Sequence, residues 1–142
     1  MASTRYDLMK IFWRIHLKLY LWSSGRIGRT LRGLPVLLLT TKGVKTGLPR
    51  TKALMYLPYG KDFAVIASNL GEAHHPAWWI NLKAEPGAIV QIAKEQFDVR
   101  AREVEGYERD KLWRAIAEIN SDYERYRQRT SRRLPVVVLE RQ

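Results

Sequence analysis

Thirteen residues, TTKGVKTGLPRTK from Thr40 to Lys52, gather four cations, Lys42, Lys45, Arg50 and Lys52, with no acid among them. Gly43 and Gly47 permit backbone torsions that expose N–H groups, Lys45 offers a point charge and Arg50 a forked donor; together they suit one phosphate. The loop is not a nucleotide P-loop. Lys45-Thr46 follows Val44 rather than glycine, and the segment leads into a strand pattern where a P-loop leads into a helix. Taken alone, the same residues also make a solvated basic hairpin tip.

Side chains for acid–base or nucleophilic chemistry are scarce. There is no cysteine, which removes a thiolate nucleophile, thiolate metal sites and disulfides and agrees with a reducing compartment. His74 and His75 are adjacent and so point differently; they read as a helix start at the surface, and His16 reads as packed on a first helix. No G-x-S-x-G elbow or paired carboxylate motif appears. If the chain is an enzyme, a cofactor carries the chemistry. Five tryptophans and seven tyrosines, with Trp78 and Trp79 adjacent and Tyr123 and Tyr126 three apart, suit the walls of a planar-ligand pocket, although each also suits a core.

A single domain suffices for 142 residues with 46% hydrophobic content. The net charge of +11 is unevenly spread: ten of the 25 bases but one of the 14 acids lie in residues 1–50. An anionic partner is expected for that segment, whether phosphorylated ligand, lipid or nucleic acid.

The elements that position these residues follow from periodicity. Residues 6–25 predict an amphipathic helix, with Leu8, Phe12, Ile15, Leu19 and Trp22 at spacings of three and four and Lys10, Arg14 and Lys18 on another face. It is too short and charged to span a bilayer; it either packs on the domain or lies on an anionic membrane through residues 6–22. Strands are expected at 35–41, 51–59, 63–68, 87–93, 96–103 and 134–140, with a tight turn at Tyr59-Gly60-Lys61-Asp62. In 96–103, Phe97, Val99 and Ala101 should face inward. Helices are expected at 74–86, with Pro76 in its first turn, and at 106–119 through Leu112, Trp113, Ile116 and Ile119. About six mainly antiparallel strands with flanking helices make an α+β chain: a basic segment 1–30, then a small barrel over 31–142.

The strings LLLTTKGVKTGLPR, AVIASNLG and HPAWWINLKAEP, followed by Tyr123 and Tyr126 ahead of LPVVVLE, resemble in order and spacing the deazaflavin-dependent nitroreductase family of actinobacteria over roughly residues 30–140. The resemblance implies a split β-barrel that binds reduced coenzyme F(420), an 8-hydroxy-5-deazaflavin, and passes hydride to a quinone, nitroaromatic or α,β-unsaturated carbonyl compound. It further implies that Lys45, Gly47 and Arg50 hold the coenzyme's phosphate, with backbone or hydroxyl contacts from Val44 and Thr46. Thr51 to Tyr56, Met55 among them, would continue along the coenzyme, and Ile66, Ala67, Ser68 and Asn69 would line its other side. Ala77, Trp78 and Asn81 would lie by the ring, and Tyr123 and Tyr126 near ring and acceptor as catalytic donors. Two positions depart from the family pattern: Asn69 stands where a lysine is common, and Asn120 where some members carry a tyrosine.

The expected protein is therefore a cytoplasmic F(420)H2-dependent oxidoreductase, membrane-associated if its first helix meets lipid, monomeric or dimeric, with a small-molecule acceptor and no metal or nucleic acid. The alternatives are a nonenzymatic module for anionic lipid or nucleic acid, and the same barrel binding FMN.

Overall fold

The computed structural model describes residues 30–142 apart from Arg32. The helix expected over residues 6–25 and its membrane contact lie outside the described residues, as does most of the basic segment 1–30.

Eight strands are present: β1 (Thr30–Leu31), β2 (Leu34–Lys42), β3 (Pro49–Met55), β4 (Leu57–Tyr59), β5 (Asp62–Ile66), β6 (Gly87–Ile92), β7 (Glu95–Glu103) and β8 (Val136–Arg141). Three helices accompany them: α1 (Ala77–Ala84), α2 (Gly106–Ile119) and α3 (Asp122–Arg129). A single 3-10 turn occupies Asn69–Gly71.

All strand pairs are antiparallel, in the order β1-β2-β6-β7-β8-β5-β4, with β3 also paired to β2. β3 and β4 pair at opposite ends of this path, yet Tyr56 alone separates them in the chain. The sheet must therefore curl until its ends meet, which is how this sequence makes a barrel. Tyr56 is buried at that bend, its ring edge-on to Phe63 with centroids 5.4 Å apart.

Two apolar clusters lie on either side of β5 and β8. Inside the curl, Leu37, Leu39, Phe63, Val65, Val90, Val99, Val137 and Leu139 pack with Trp78, Trp79 and Leu82 of α1. On the other face, Ala64, Ile66, Val136 and Val138 pack against Leu112, Trp113 and Ile116 of α2 and Tyr123 and Tyr126 of α3. Double-sided burial explains why FAVIAS and PVVVL are continuous apolar runs, whereas β7, half solvated, alternates with Phe97, Val99 and Ala101 inward.

The expected strands match β2, β5, β6, β7 and β8 closely, and the second helix matches α2. The strand expected over 51–59 is instead two, broken at Tyr56. The helix expected over 74–86 is the shorter α1, and Pro76 precedes its first turn with φ −65° and ψ 150°, its carbonyl accepting from the N–H of Trp79 and Ile80. Ile119 is half exposed at the end of α2 rather than on its buried face. α3 was not expected: apart from its two tyrosines DYERYRQR is polar, and its stability comes from acids in its first turn, arginines in its last, and the pairs Asp122–Arg125 and Glu124–Arg127.

Helix α2 is tied to the barrel by Glu108. Its carboxylate accepts a forked pair of bonds from Arg102 of β7, at 2.7 and 3.1 Å, and a bond from the Tyr59 hydroxyl at 2.9 Å. Those donors hold its pKa at about 2, below the ordinary 4.5. An unfolded chain takes up that proton first, so the bond's contribution to stability is complete above about pH 4.5 and is lost as pH falls towards 2. Urea unfolding of Glu108→Gln should show a shallower loss of stability between pH 4.5 and 2 than the parent chain.

Candidate functional site

The ends of β2 and β3 lift the loop 43–48 above the barrel, and its form is set internally. The Gly43 N–H donates to Leu48 O at 2.9 Å, Gly47 N–H to Gly43 O at 2.8 Å, and Leu48 N–H to Thr46 Oγ1 at 3.2 Å. A Cβ at Gly43 would stand 3.0 Å from Thr46 Oγ1 and 3.2 Å from Leu48 O. At the loop's base, Thr40 and Thr51 share a hydroxyl–hydroxyl bond of 2.8 Å.

Asn81 anchors this loop from below. Its buried amide donates to Thr41 Oγ1 at 3.0 Å and accepts from the Val44 N–H at 3.2 Å, linking β2, the loop and α1. The N–H groups of Lys45 and Thr46 have no partner among the described residues, and neither Lys45 nor Arg50 makes an ion pair there. Lys42 is different: its ammonium lies 3.6 Å from Glu85.

The loop forms one wall of a groove of about 680 Å³. Val44, Lys45, Thr46, Arg50, Thr51 and Lys52 line that side, and Asn69, Glu72, His74, His75, Ala77, Trp78 and Asn81 the other. The groove runs into a smaller cavity of about 170 Å³ lined by Met55, Ile66, Ser68, Leu70, Tyr123 and Tyr126. Lys52, Asn69, Pro76 and Trp78 belong to both, so the two make a single cleft, cationic and wide at one end, aromatic and narrower at the other. Tyr123 and Tyr126 stack edge to face at 5.7 Å. Burial, reinforced by Tyr126 and Asp122, pushes the Tyr123 phenol far above its ordinary range and keeps it protonated.

Segment 67–75 forms the floor between the two ends, and its backbone is unusual. Asn69 and Leu70 have φ of +46° and +56°, a left-handed pair in which asparagine is much better tolerated than lysine. The Asn69 amide closes the turn by donating to His74 O at 3.0 Å. Gly71 follows with φ +75°, and a Cβ there would lie 2.6 Å from Tyr126 O. The segment is clamped by Arg132, whose guanidinium donates to Glu72 O at 2.9 Å, Ala67 O at 3.3 Å and Ser68 O at 2.7 Å. Arg129 adds a bond to Leu70 O at 3.1 Å.

Most residues singled out from the sequence thus line one cleft, but three do not. Ala67 is wholly buried in the barrel core, and Tyr56 is turned inward at the bend. Gly47 faces a shallow groove on the opposite side of β2 with Pro49, Gly87 and Arg100; its part is the loop's turn, at φ +71°. Asn120 is also away from the cavity wall. Its side-chain Oδ1 accepts from the Asp122 N–H at 3.0 Å at the start of α3, and its side-chain nitrogen lies 3.5 Å from Met55 Sδ. Arg132 and His75 were missed as cleft residues, and only the fold brings Arg132 to segment 67–75.

Replacing Gly71 by alanine combines a left-handed φ with a clash against the α3 backbone. The chain should lose about 2–4 kcal/mol, read by urea unfolding, whereas alanine at Gly60, where a Cβ meets nothing within 4 Å, should cost less.

Comparison with known proteins adds the lineage. The family model for F(420)H2-dependent quinone reductases matches residues 12–141. An F(420)H2-dependent quinone reductase of Mycobacterium tuberculosis is 40% identical over 132 residues, 90% of this chain and 89% of that protein. Among solved structures, an F(420)H2-dependent reductase is 37% identical with a TM-score of 0.68, covering 75% of this chain and 94% of its own. A chain described as a domain-swapped dimer is 31% identical with a TM-score of 0.71, covering 92% of this chain and 99% of its own. A haem-binding protein of Mycobacterium smegmatis, 18% identical with a TM-score of 0.60, shares the fold alone. The match along nearly the whole chain agrees with the curled antiparallel barrel, and this protein belongs to the F(420)H2-dependent quinone reductase family.

Proposed function

We propose that the cleft binds F(420)H2 along its length and presents a quinone-type acceptor to it at the aromatic end. The observation that carries this reading is the continuity of a cationic groove, in which Lys45 and Arg50 make no ion pair among the described residues, with a narrower aromatic cavity. A long ligand with an anionic tail and a flat ring system fits that gradient, as neither a compact phosphate nor a duplex nucleic acid does.

Lys45, Arg50 and the free N–H groups of Lys45 and Thr46 would hold the phosphate. The N–H of Val44 is committed to Asn81, so Val44 would contribute its exposed side chain. Thr51, Met55, Ile66, Ser68 and Asn69 would flank the coenzyme further in, with Ala77 and Trp78 against the ring. When bound, the reduced deazaflavin supplies a hydride. The protein's own part is to align the reactants, exclude water from the inner cavity and offer a donor where charge develops on the acceptor oxygen. Tyr126 and Tyr123 are suited to that donation by their place in the cavity wall, and the Tyr123 phenol, held protonated by burial, donates at any physiological pH.

In fluorescence titrations of the purified chain, F(420) should bind saturably where FMN does not. The Lys45→Ala, Arg50→Ala double variant should weaken that affinity on the order of a hundredfold; unchanged affinity would remove the phosphate assignment.

Steady-state assays with F(420)H2 and a menaquinone analogue test the donors. Tyr126→Phe and Tyr123→Phe should leave F(420) affinity near the parent value. At least one should lower kcat on the order of tenfold to a hundredfold; full rates in both would exclude the tyrosines as donors.

A further inference from the structure

We propose that Arg132 is a positioning residue that holds His75 as a neutral imidazole with its proton on Nε2, making His75 a fixed hydrogen-bond donor to the ligand in the groove. The proposal rests on the reading of the cleft as the F(420) site and adds a binding contact to it.

Arg132 Nη1 lies 2.9 Å from His75 Nδ1. A guanidinium has donors only, so Nδ1 must be the acceptor, and in a neutral ring the proton then sits on Nε2. The Arg132 carbon skeleton cannot swing away easily, since the same guanidinium is bonded to the carbonyls of Ala67, Ser68 and Glu72. His75 lines the groove alongside Lys45 and Arg50, and its Nε2 has no partner among the described residues. A buried or half-buried polar N–H on a cleft wall is completed by ligand or water.

Burial and the surrounding cations both favour the neutral ring. Burial is the largest cause that depresses its pKa below 6.5, followed by Arg132 and by Lys83 of α1. On its own segment, Glu72 is engaged with His74 at 3.5 Å, and the remaining charged side chains around the groove are Lys45, Arg50 and Lys52. A neutral donor differs in kind from those cations. It adds direction without charge, which suits a carbonyl or phosphoryl oxygen whose place along the groove must be fixed rather than merely attracted.

The full-length chain carries three histidines, so long-range 1H–15N spectra can be assigned by comparison with His75→Gln. In the parent chain, without ligand, His75 should show the Nε2–H tautomer from pH 8 to below 6.5. In Arg132→Gln the signal should move towards a tautomer mixture and titrate at higher pH. An Nδ1–H tautomer, or ordinary titration in the parent, would overturn the proposal, and this arm needs neither a ligand nor a folded Arg132 variant.

Donation itself is read by F(420) titration at pH 8. His75→Ala should weaken binding about fivefold to tenfold, and His75→Gln, which keeps an N–H at similar reach, should recover most of it. Equal affinity in His75→Ala and parent would also overturn the proposal. Failure of the parent to bind F(420) at all would instead refute the functional reading, with the tautomer still deciding the role of Arg132.

Discussion

A guanidinium drawn out of water has to be met by acceptors, and the way Arg132 is met organises the cleft. Its partners are three backbone carbonyls and one imidazole nitrogen from a stretch of nine residues, Ala67 to His75. Because it cannot be neutralised at any relevant pH, leaving one of those bonds unmade would leave a partly buried cation short of an acceptor. The stretch is thus held in one conformation, including the left-handed pair at Asn69 and Leu70 that would otherwise be strained. The departure at Asn69 takes on a local meaning here: the position needs a residue tolerant of that torsion, and its amide serves the turn rather than the ligand.

The opposite wall is organised by a neutral counterpart. Asn81 has both sides of its amide occupied, by Thr41 and by Val44, so its commitment is to the loop's posture. Between them, Arg132 and Asn81 fix two irregular segments against a barrel that is itself closed by continuity of the chain at Tyr56. The bonds that shape the basic loop involve the side chains of neither Lys45 nor Arg50. Lys45 and Arg50 remain without ion pairs among the described residues, which is the state a binding site requires and a structural network does not.

What was legible in the sequence was local. The basic loop announces itself by glycine, proline and unopposed cations, and α2 by a sustained apolar period. The strand runs FAVIAS and PVVVL read clearly because both faces are buried. What was not legible depended on distant pairing. The break of TKALMYLPY at Tyr56 follows from β3 and β4 serving opposite ends of the sheet, and no residue in that run signals it. Helix α3 rests on two tyrosines and on charge order rather than an apolar stripe. Arg132 lies within SRR, where nothing distinguishes it from the exposed Arg133. The resemblance assigns Tyr56, Ala67 and Gly47 to the coenzyme, but each lies where the chain leaves a strand or turns: Tyr56 at the bend between β3 and β4, Ala67 just past β5 and Gly47 in the loop's turn.

The protonation of two cleft residues follows from the same arrangement. Its inner end holds two phenols, one displaced far above its ordinary range by burial, and its outer end is lined by Lys45, Arg50 and Lys52. The imidazole between them has its pKa lowered by burial first and by the Arg132 guanidinium next. Tyr123 and His75 are thus both held towards their neutral forms before any ligand enters. Such a site is poorly suited to exchanging protons through its side chains, and well suited to a reaction in which the reducing equivalent travels with a carrier and the protein contributes alignment, a dry cavity and donors already in place.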